Sequence, residues 1–256
     1  MNKRLGIIQS RGLGDILIAL PIANHYRAQG WDIYWPIAQQ FLPNVEKHVP
    51  WVHWIPLSVD RGTYFYDIPM QRLRNLGCEE ILCLYQSLSG HPEITGTIEF
   101  QIMKFDQFKY HIAQIDFVNK WRLSECIQRD PDEEKRLYDQ LGAGDQPYCV
   151  LHLEGSNHTA AFDRSVIPPE YKVIEIKEQV TKSIFSWLKI LEGADIIVCV
   201  DSVVANMVDQ FNMTRDKDCY LIPRSHIQLT PVFGGQWTYL DPAPQIAQRL
   251  RLFVPS

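Results

Sequence analysis

The first thirty residues constrain this chain most. An apolar strand, Leu5-Gly6-Ile7-Ile8, breaks at Arg11-Gly12-Leu13-Gly14-Asp15, and an apolar run from Ile16 to Tyr26 follows. A strand that turns through glycines into a helix sets backbone N–H groups and one acidic side chain at the carboxyl edge of a parallel sheet, where α/β folds bind their ligands. Ile16, Leu20 and Ala23 recur with helical spacing and predict one apolar stripe facing the sheet. Pro21 removes a backbone donor, so a kink or a late helix start is expected there. Asp15 fits two roles, a cap on the first helical turn and a group that does chemistry. A dinucleotide site is a poor match, because the position three after Gly14 is Leu17 rather than glycine and Asp15 would repel a pyrophosphate.

With 256 residues, 46% of them hydrophobic and 11% aromatic, the chain has ample material for a core. Its net charge of −5 creates no global field that attracts nucleic acid or an anionic membrane. Lys3 and Arg4 precede an apolar stretch as in a signal peptide, but Arg11 and Asp15 interrupt it. No apolar run reaches the roughly 20 residues that span a bilayer. The six cysteines form no Cys-x-x-Cys pair, and Cys83, Cys149 and Cys199 lie in apolar strand-like runs. They read as buried, reduced thiols of a cytoplasmic protein, in which the two glycosylation sequons at Asn157 and Asn212 carry no meaning.

Strand-like runs recur at Asp32 to Pro36, Val52 to Ile55 and Glu80 to Tyr85, with a helix expected from Asp67 to Gly77. This alternation predicts a mostly parallel, helix-covered sheet. Trp31, Trp35, Trp51 and Trp54 crowd one short span and suit core packing, with stacking on a sugar or base as the other use. Residues 87–123 have weak periodicity and read as a loop followed by a helix that contacts an acceptor. Asp130 to Gly142 reads as a helix with Pro131 at its first position, and Gly142-Ala143-Gly144-Asp145 suits a linker. The second half repeats the alternation: strands at Tyr148 to Leu153 and Val173 to Ile176, a helix face at Phe185, Leu188 and Leu191, a buried strand from Ile196 to Val200, then Asp201-Ser202 and a helix from Val203 to Phe211. Ser202 and the first N–H groups of that helix form a second pole suited to an anion.

Gly12-Leu13-Gly14-Asp15 followed by Pro21, together with Gly193-Ala194-Asp195-Ile196-Ile197-Val198 and Asp201-Ser202, resembles the heptosyltransferases of glycosyltransferase family nine. The resemblance covers these two poles and hardly touches the middle of the chain. It implies a GT-B-like α/β fold, two Rossmann-like domains with mostly parallel sheets facing across a cleft. Residues 1–143 would hold the acceptor, residues 144–240 the nucleotide-sugar donor, and 241–256 would close the chain with a helix over 244–253 that packs back on the first domain. It further implies Asp15 as general base and Arg164, Asp201, Ser202 and Asn206 around the donor and its phosphates; by position and charge we add Gly14, Ser156 and Arg224 to the donor set and Arg11, His91 and Lys104 toward the acceptor. Asn206 stands where the family usually has histidine, and Val203 and Val204 replace a usual glycine and proline. One βα unit of the family pattern is missing after Arg164.

The implied function is transfer of a sugar from a nucleotide-sugar to a hydroxyl acceptor, inverting and metal-independent, with the donor as substrate and no cofactor. The chemistry needs a carboxylate on the attacking hydroxyl and positive charge or oriented N–H dipoles on the departing diphosphate. Two other readings fit the residues. In one the acceptor is a base in nucleic acid, with Lys104, Lys109, Lys120, Trp121 and Arg122 lining a basic cleft. In the other the altered donor loop leaves a catalytically silent nucleotide-binding module.

Overall fold

The computed structural model describes residues 3–58, 65–86, 103–155, 158–177, 180–224 and 230–240. The chain begins with β1 (Lys3–Ile8), α1 (Leu13–Ala28) and β2 (Trp31–Ala38), then a short α2 (Leu42–Val45) and β3 (Val52–Leu57). It continues through α3 (Asp67–Asn75), β4 (Glu80–Cys83), α4 (Phe105–Ile112), a 3₁₀ segment at Phe117–Glu125 and α5 (Pro131–Gln140). The later part holds β5 (Tyr148–His152), the two-residue strands β6 (Glu154–Gly155) and β7 (His158–Thr159), β8 (Lys172–Glu175), α6 (Leu188–Gly193), β9 (Ile196–Val200), α7 (Val203–Gln210), β10 (Asp218–Ile222) and β11 (Thr238–Tyr239).

The strands form two separate parallel sheets, ordered β3-β2-β1-β4 and β11-β10-β9-β5-β8, with β6 and β7 as a small antiparallel hairpin. In the first sheet β1 is flanked by β2 and β4, with Leu5 opposite both Ile33 and Glu80. In the second, β5 lies between β8 and β9. Each of these central strands is the point where the strand order reverses, and α/β folds open their ligand crevices at the carboxyl ends of such strands. β5 and β9 are buried at every residue, the burial expected of parallel strands covered on both faces.

Of the expectations about α1, the late start and the single apolar stripe fail. The helix starts at Leu13 and runs through Pro21 to Ala28, so there is no late start. It is also buried on all sides from Ile16 to Ala23 rather than along one stripe. The reason is its place between the halves, where it packs on the first sheet, on the 3₁₀ segment at Phe117–Glu125 and on α7. One continuous apolar core consequently runs from Leu5, Ile33 and Trp35 through Leu17 and Leu20 to Ile197 and Leu221. A second cluster around Leu151, Val198 and Tyr220 covers the other face of the second sheet. Of the tryptophans, Trp35 is fully buried with its Nε1 donating to Gln9 O at 3.0 Å and Trp54 packed on its ring, and Trp51 Nε1 donates to Cys126 O. These rings belong to the core side of the two alternatives.

Polar contacts join the halves as well. Arg129 pairs with Glu134 and reaches Glu192 at 2.5 and 2.8 Å, Ser186 Oγ donates to Glu133 at 2.8 Å, and Asn44 Oδ1 accepts Ile184 N–H at 3.0 Å. The glycines at 142 and 144 turn between α5 and β5 with φ of +57° and +97°, and a Cβ on Gly144 would stand 2.3 Å from the Tyr138 hydroxyl. The segment before β11 is pinned from below. Asp209 on α7 accepts hydrogen bonds from Trp121 Nε1, Gly234 N–H, Gly235 N–H and Trp237 Nε1 at 2.7 to 3.1 Å. Lys120 and Asp106, both fully buried, pair at 2.7 Å and bond Val232 O and Val232 N–H respectively. The helix expected over 244–253 lies outside the described residues.

Candidate functional site

A cleft of about 920 Å³ lies between the carboxyl ends of the two sheets. Its first wall is the turn from β1 into α1. Gly12 caps the helix with φ +79°, a conformation that favours glycine, and a Cβ there would press on Asp15 Oδ2. Asp15 faces the cleft with its side chain 36% exposed. Behind it Lys109, 3% exposed, donates to Gln9 Oε1 at 2.7 Å and Leu84 O at 3.0 Å and approaches Asp15 Oδ1 to 3.1 Å. All three ammonium protons are thereby engaged. One carboxylate oxygen, Oδ1, is tied to Lys109, and the other, Oδ2, lies on the side of Gly12. The helix dipole favours the charge at this position, but the N-cap itself is Gly12, which has no side chain to cap with.

The opposite wall is the turn from β9 into α7, with the end of β5 beside it. Asp201, Ser202, Asn206 and His152 all line the cleft. Ser202 is the N-cap of α7, yet its hydroxyl makes no cap bond and instead meets His152 Nδ1 at 2.9 Å. Asn206 Nδ2 donates to Ser202 O at 2.9 Å, and its Oδ1 is buried with no partner. Burial pushes the Asp201 carboxyl up; the positive charges of Arg224, Lys104 and Lys120 pull it down, and the negative charge of Asp15 pushes it further up. The two acidic poles therefore sense one another across the cleft. Gly14 lines the same space, where a methyl group would make ordinary contacts 3.6 Å from Asn206 Nδ2 and Val203 Cα.

Burial pulls His152 down from 6.5 to about 4, and this gives a pH dependence of stability. Above pH 6.5 the imidazole is neutral in both folded and unfolded chains and contributes nothing. Between pH 6.5 and 4 the unfolded chain takes a proton that the folded one refuses, so stability falls with pH by a total on the order of 3 kcal/mol. Urea melts of the wild type and His152→Leu from pH 7 to 4 should show a steeper decline for the wild type. Parallel declines would show that His152 is not the buried neutral group described.

Not all of the expected site residues gather here. Arg164 is absent from the cleft lining; its guanidinium, with the side chain 54% exposed, is held by Glu175 at 3.1 Å on the 3₁₀ turn before β8. Glu175 also lies 3.5 Å from Lys177. The cations that do line the cleft are Arg224, just past β10, with Lys177 and Lys182 beyond β8. Arg11 sits over the Phe65 ring at 5.4 Å, outside the lining, and Lys104 reaches Thr230 Oγ1 and Pro231 O at 3.4 Å. His91 and Ser156 lie outside the described residues. The basic groove of the nucleic-acid reading is not assembled: Lys109 and Lys120 are buried and paired, Trp121 bonds Asp209, and Arg122 pairs with Glu125. Asp-x-Asp spacings occur at Asp130-Pro131-Asp132 and Asp216-Lys217-Asp218, but none of these residues lines the cleft, and Asp130 caps α5 through Glu133 N–H. Among the described residues no group of three or more His, Cys, Asp or Glu is placed to hold a metal. No helix among them is long and apolar enough to cross a membrane.

No protein-family model matches the chain, and no curated protein does. Solved structures do match in fold. A glycosyl transferase family 9 protein from Veillonella parvula superposes with a TM-score of 0.58 at 10% identity, over 93% of this chain and 86% of that one. The ADP-heptose LPS heptosyltransferase II of E. coli gives 0.58 at 11% identity over 93% and 90%. The E. coli heptosyltransferase WaaC with ADP gives 0.51 at 12% identity over 93% of each chain. The chain thus has the α/β, two-sheet GT-B fold of these proteins.

Proposed function

We propose, from a fold shared with glycosyltransferases, that this chain moves a sugar from a nucleoside-diphosphate sugar to a hydroxyl acceptor, with inversion, without a metal, in the cytoplasm. The observation that carries the reading is the meeting of Asp15 and the α7 N-terminus in one cleft between two sheet edges. Asp15, through the oxygen that Lys109 leaves free, takes the proton of the acceptor hydroxyl as that oxygen attacks the anomeric carbon. The bond from that carbon to the phosphate oxygen breaks, and the nucleoside diphosphate leaves with the electron pair. The first N–H groups of α7 and the Arg224 guanidinium face the charge that develops on it. Lys177 and Lys182 add positive charge along the β8 side of the cleft. The acceptor enters along the α1 side, where Phe105 and Phe41 offer apolar surface.

Structures of WaaC contain ADP and an ADP-2-deoxy-2-fluoro heptose, which makes adenine nucleotides the first donors to test here. In thermal melts with ADP, UDP, GDP and CMP, one nucleotide at 100 times its Kd should stabilise the protein by roughly 2.7 kcal/mol, or about 5–10 °C for a chain of this size. Melts unmoved by every nucleotide would sink the reading.

A further inference from the structure

We infer that His152 is a direct hydrogen-bond donor to the diphosphate of the nucleotide ligand, presenting Nε2–H into the cleft because Ser202 holds Nδ1 as an acceptor. The inference rests on the donor-site reading above and adds to it a residue whose alternation with Leu151 and Leu153 reads, in sequence, as a satisfied strand histidine rather than a ligand.

His152 ends β5 and Ser202 follows β9, so parallel pairing of these neighbouring strands brings the residues side by side. The Ser202 hydroxyl meets Nδ1 at 2.9 Å and has no cap bond to make. A hydroxyl has one proton and two lone pairs. If Nδ1 were the donor, the Ser202 proton would have no protein acceptor in a contact that is buried, and buried donors are rarely left so. With Ser202 donating instead, Nδ1 is the lone-pair nitrogen and the ring proton of the neutral imidazole must sit on Nε2. His152 lines the cleft, and Nε2 is not among the buried polar atoms that lack a partner. That nitrogen is therefore open to a ligand from the cleft side.

What it faces is chemically selective. The α7 N-terminus beside it presents backbone N–H groups, and Arg224 lines the same space. An N–H added to that set suits phosphate oxygens, which only accept. Asn206 commits one of its two amide protons to Ser202 O, and its Oδ1 is a buried acceptor that offers nothing to a phosphate. The neutral donor that a histidine on α7 would supply comes in this chain from the end of β5.

Two measurements test this. Nitrogen NMR of the ligand-free protein at pH 7.5, with the His152 ring assigned by its absence in His152→Gln, should show the Nε2–H tautomer; an Nδ1–H tautomer overturns the inference without touching the transferase reading. Calorimetric titration of inorganic pyrophosphate and of ADP, in EDTA, should then show a loss of about 10–100-fold for His152→Leu. His152→Gln, whose amide nitrogen falls close to the place of Nε2, should stay within about 3-fold of the wild type. Equal binding by the wild type and His152→Leu removes the inference alone. A wild type that binds neither pyrophosphate nor any nucleoside diphosphate removes the donor-site reading, and this inference with it.

Discussion

Asp15→Asn is expected to lower sugar transfer by about 10²–10⁴-fold while nucleotide binding persists. Asparagine keeps the size of the side chain and an oxygen for Lys109, which also retains Gln9 and Leu84 O, but it has no lone-pair oxygen basic enough to accept the hydroxyl proton. Because Lys109 is buried, the change removes an ion pair as well as a base. A stability loss on the order of 1–2 kcal/mol should accompany it, more than a surface helix cap would give. Turnover with whichever donor stabilises the wild type, measured beside melting curves and nucleotide affinity, separates the two roles of Asp15. Transfer equal to wild type would leave Asp15 with structural work only.

The largest effect on stability is expected at Asp209→Ala. Its carboxylate gathers four N–H donors, two from indole rings and two from successive glycines. Truncation leaves these donors in a site 1% exposed, at about 1–3 kcal/mol for each donor that finds no water. Release of the 234–237 segment relieves part of this, and a net loss of about 3–5 kcal/mol is expected. Urea unfolding followed by tryptophan fluorescence measures it. A loss under 1 kcal/mol would mean that the segment is held by the packing of Phe233 and Trp237 alone.

The strand and helix order was legible because local sequence decides it. Uninterrupted apolar runs such as Ile196 to Val200 announce doubly covered parallel strands, and Asp130-Pro131 announces a capped helix start. The two poles of the cleft were legible for the same reason, since each is a strand–turn–helix junction written in consecutive residues. What stayed hidden depends on distant pairing. Arg164 looked apt for phosphate on grounds of charge, but Glu175, eleven residues on and across the turn, takes its guanidinium. Lys109 sits in a stretch of weak periodicity, and nothing near it in sequence reveals that Gln9, Leu84 and Asp15 converge on its ammonium. His152 and Ser202 are fifty residues apart and become partners only through the β5–β9 register. The all-round burial of α1 likewise follows from a neighbour, α7, that its own stripe does not foretell.

The side-by-side start of α1 and α7 acts as a gauge. Their first turns leave about a methyl group of space at Gly14 and belong to the same core, so backbone packing sets the gap between the two walls. A ligand pair held across it meets at a span that is already cut to length when each partner enters.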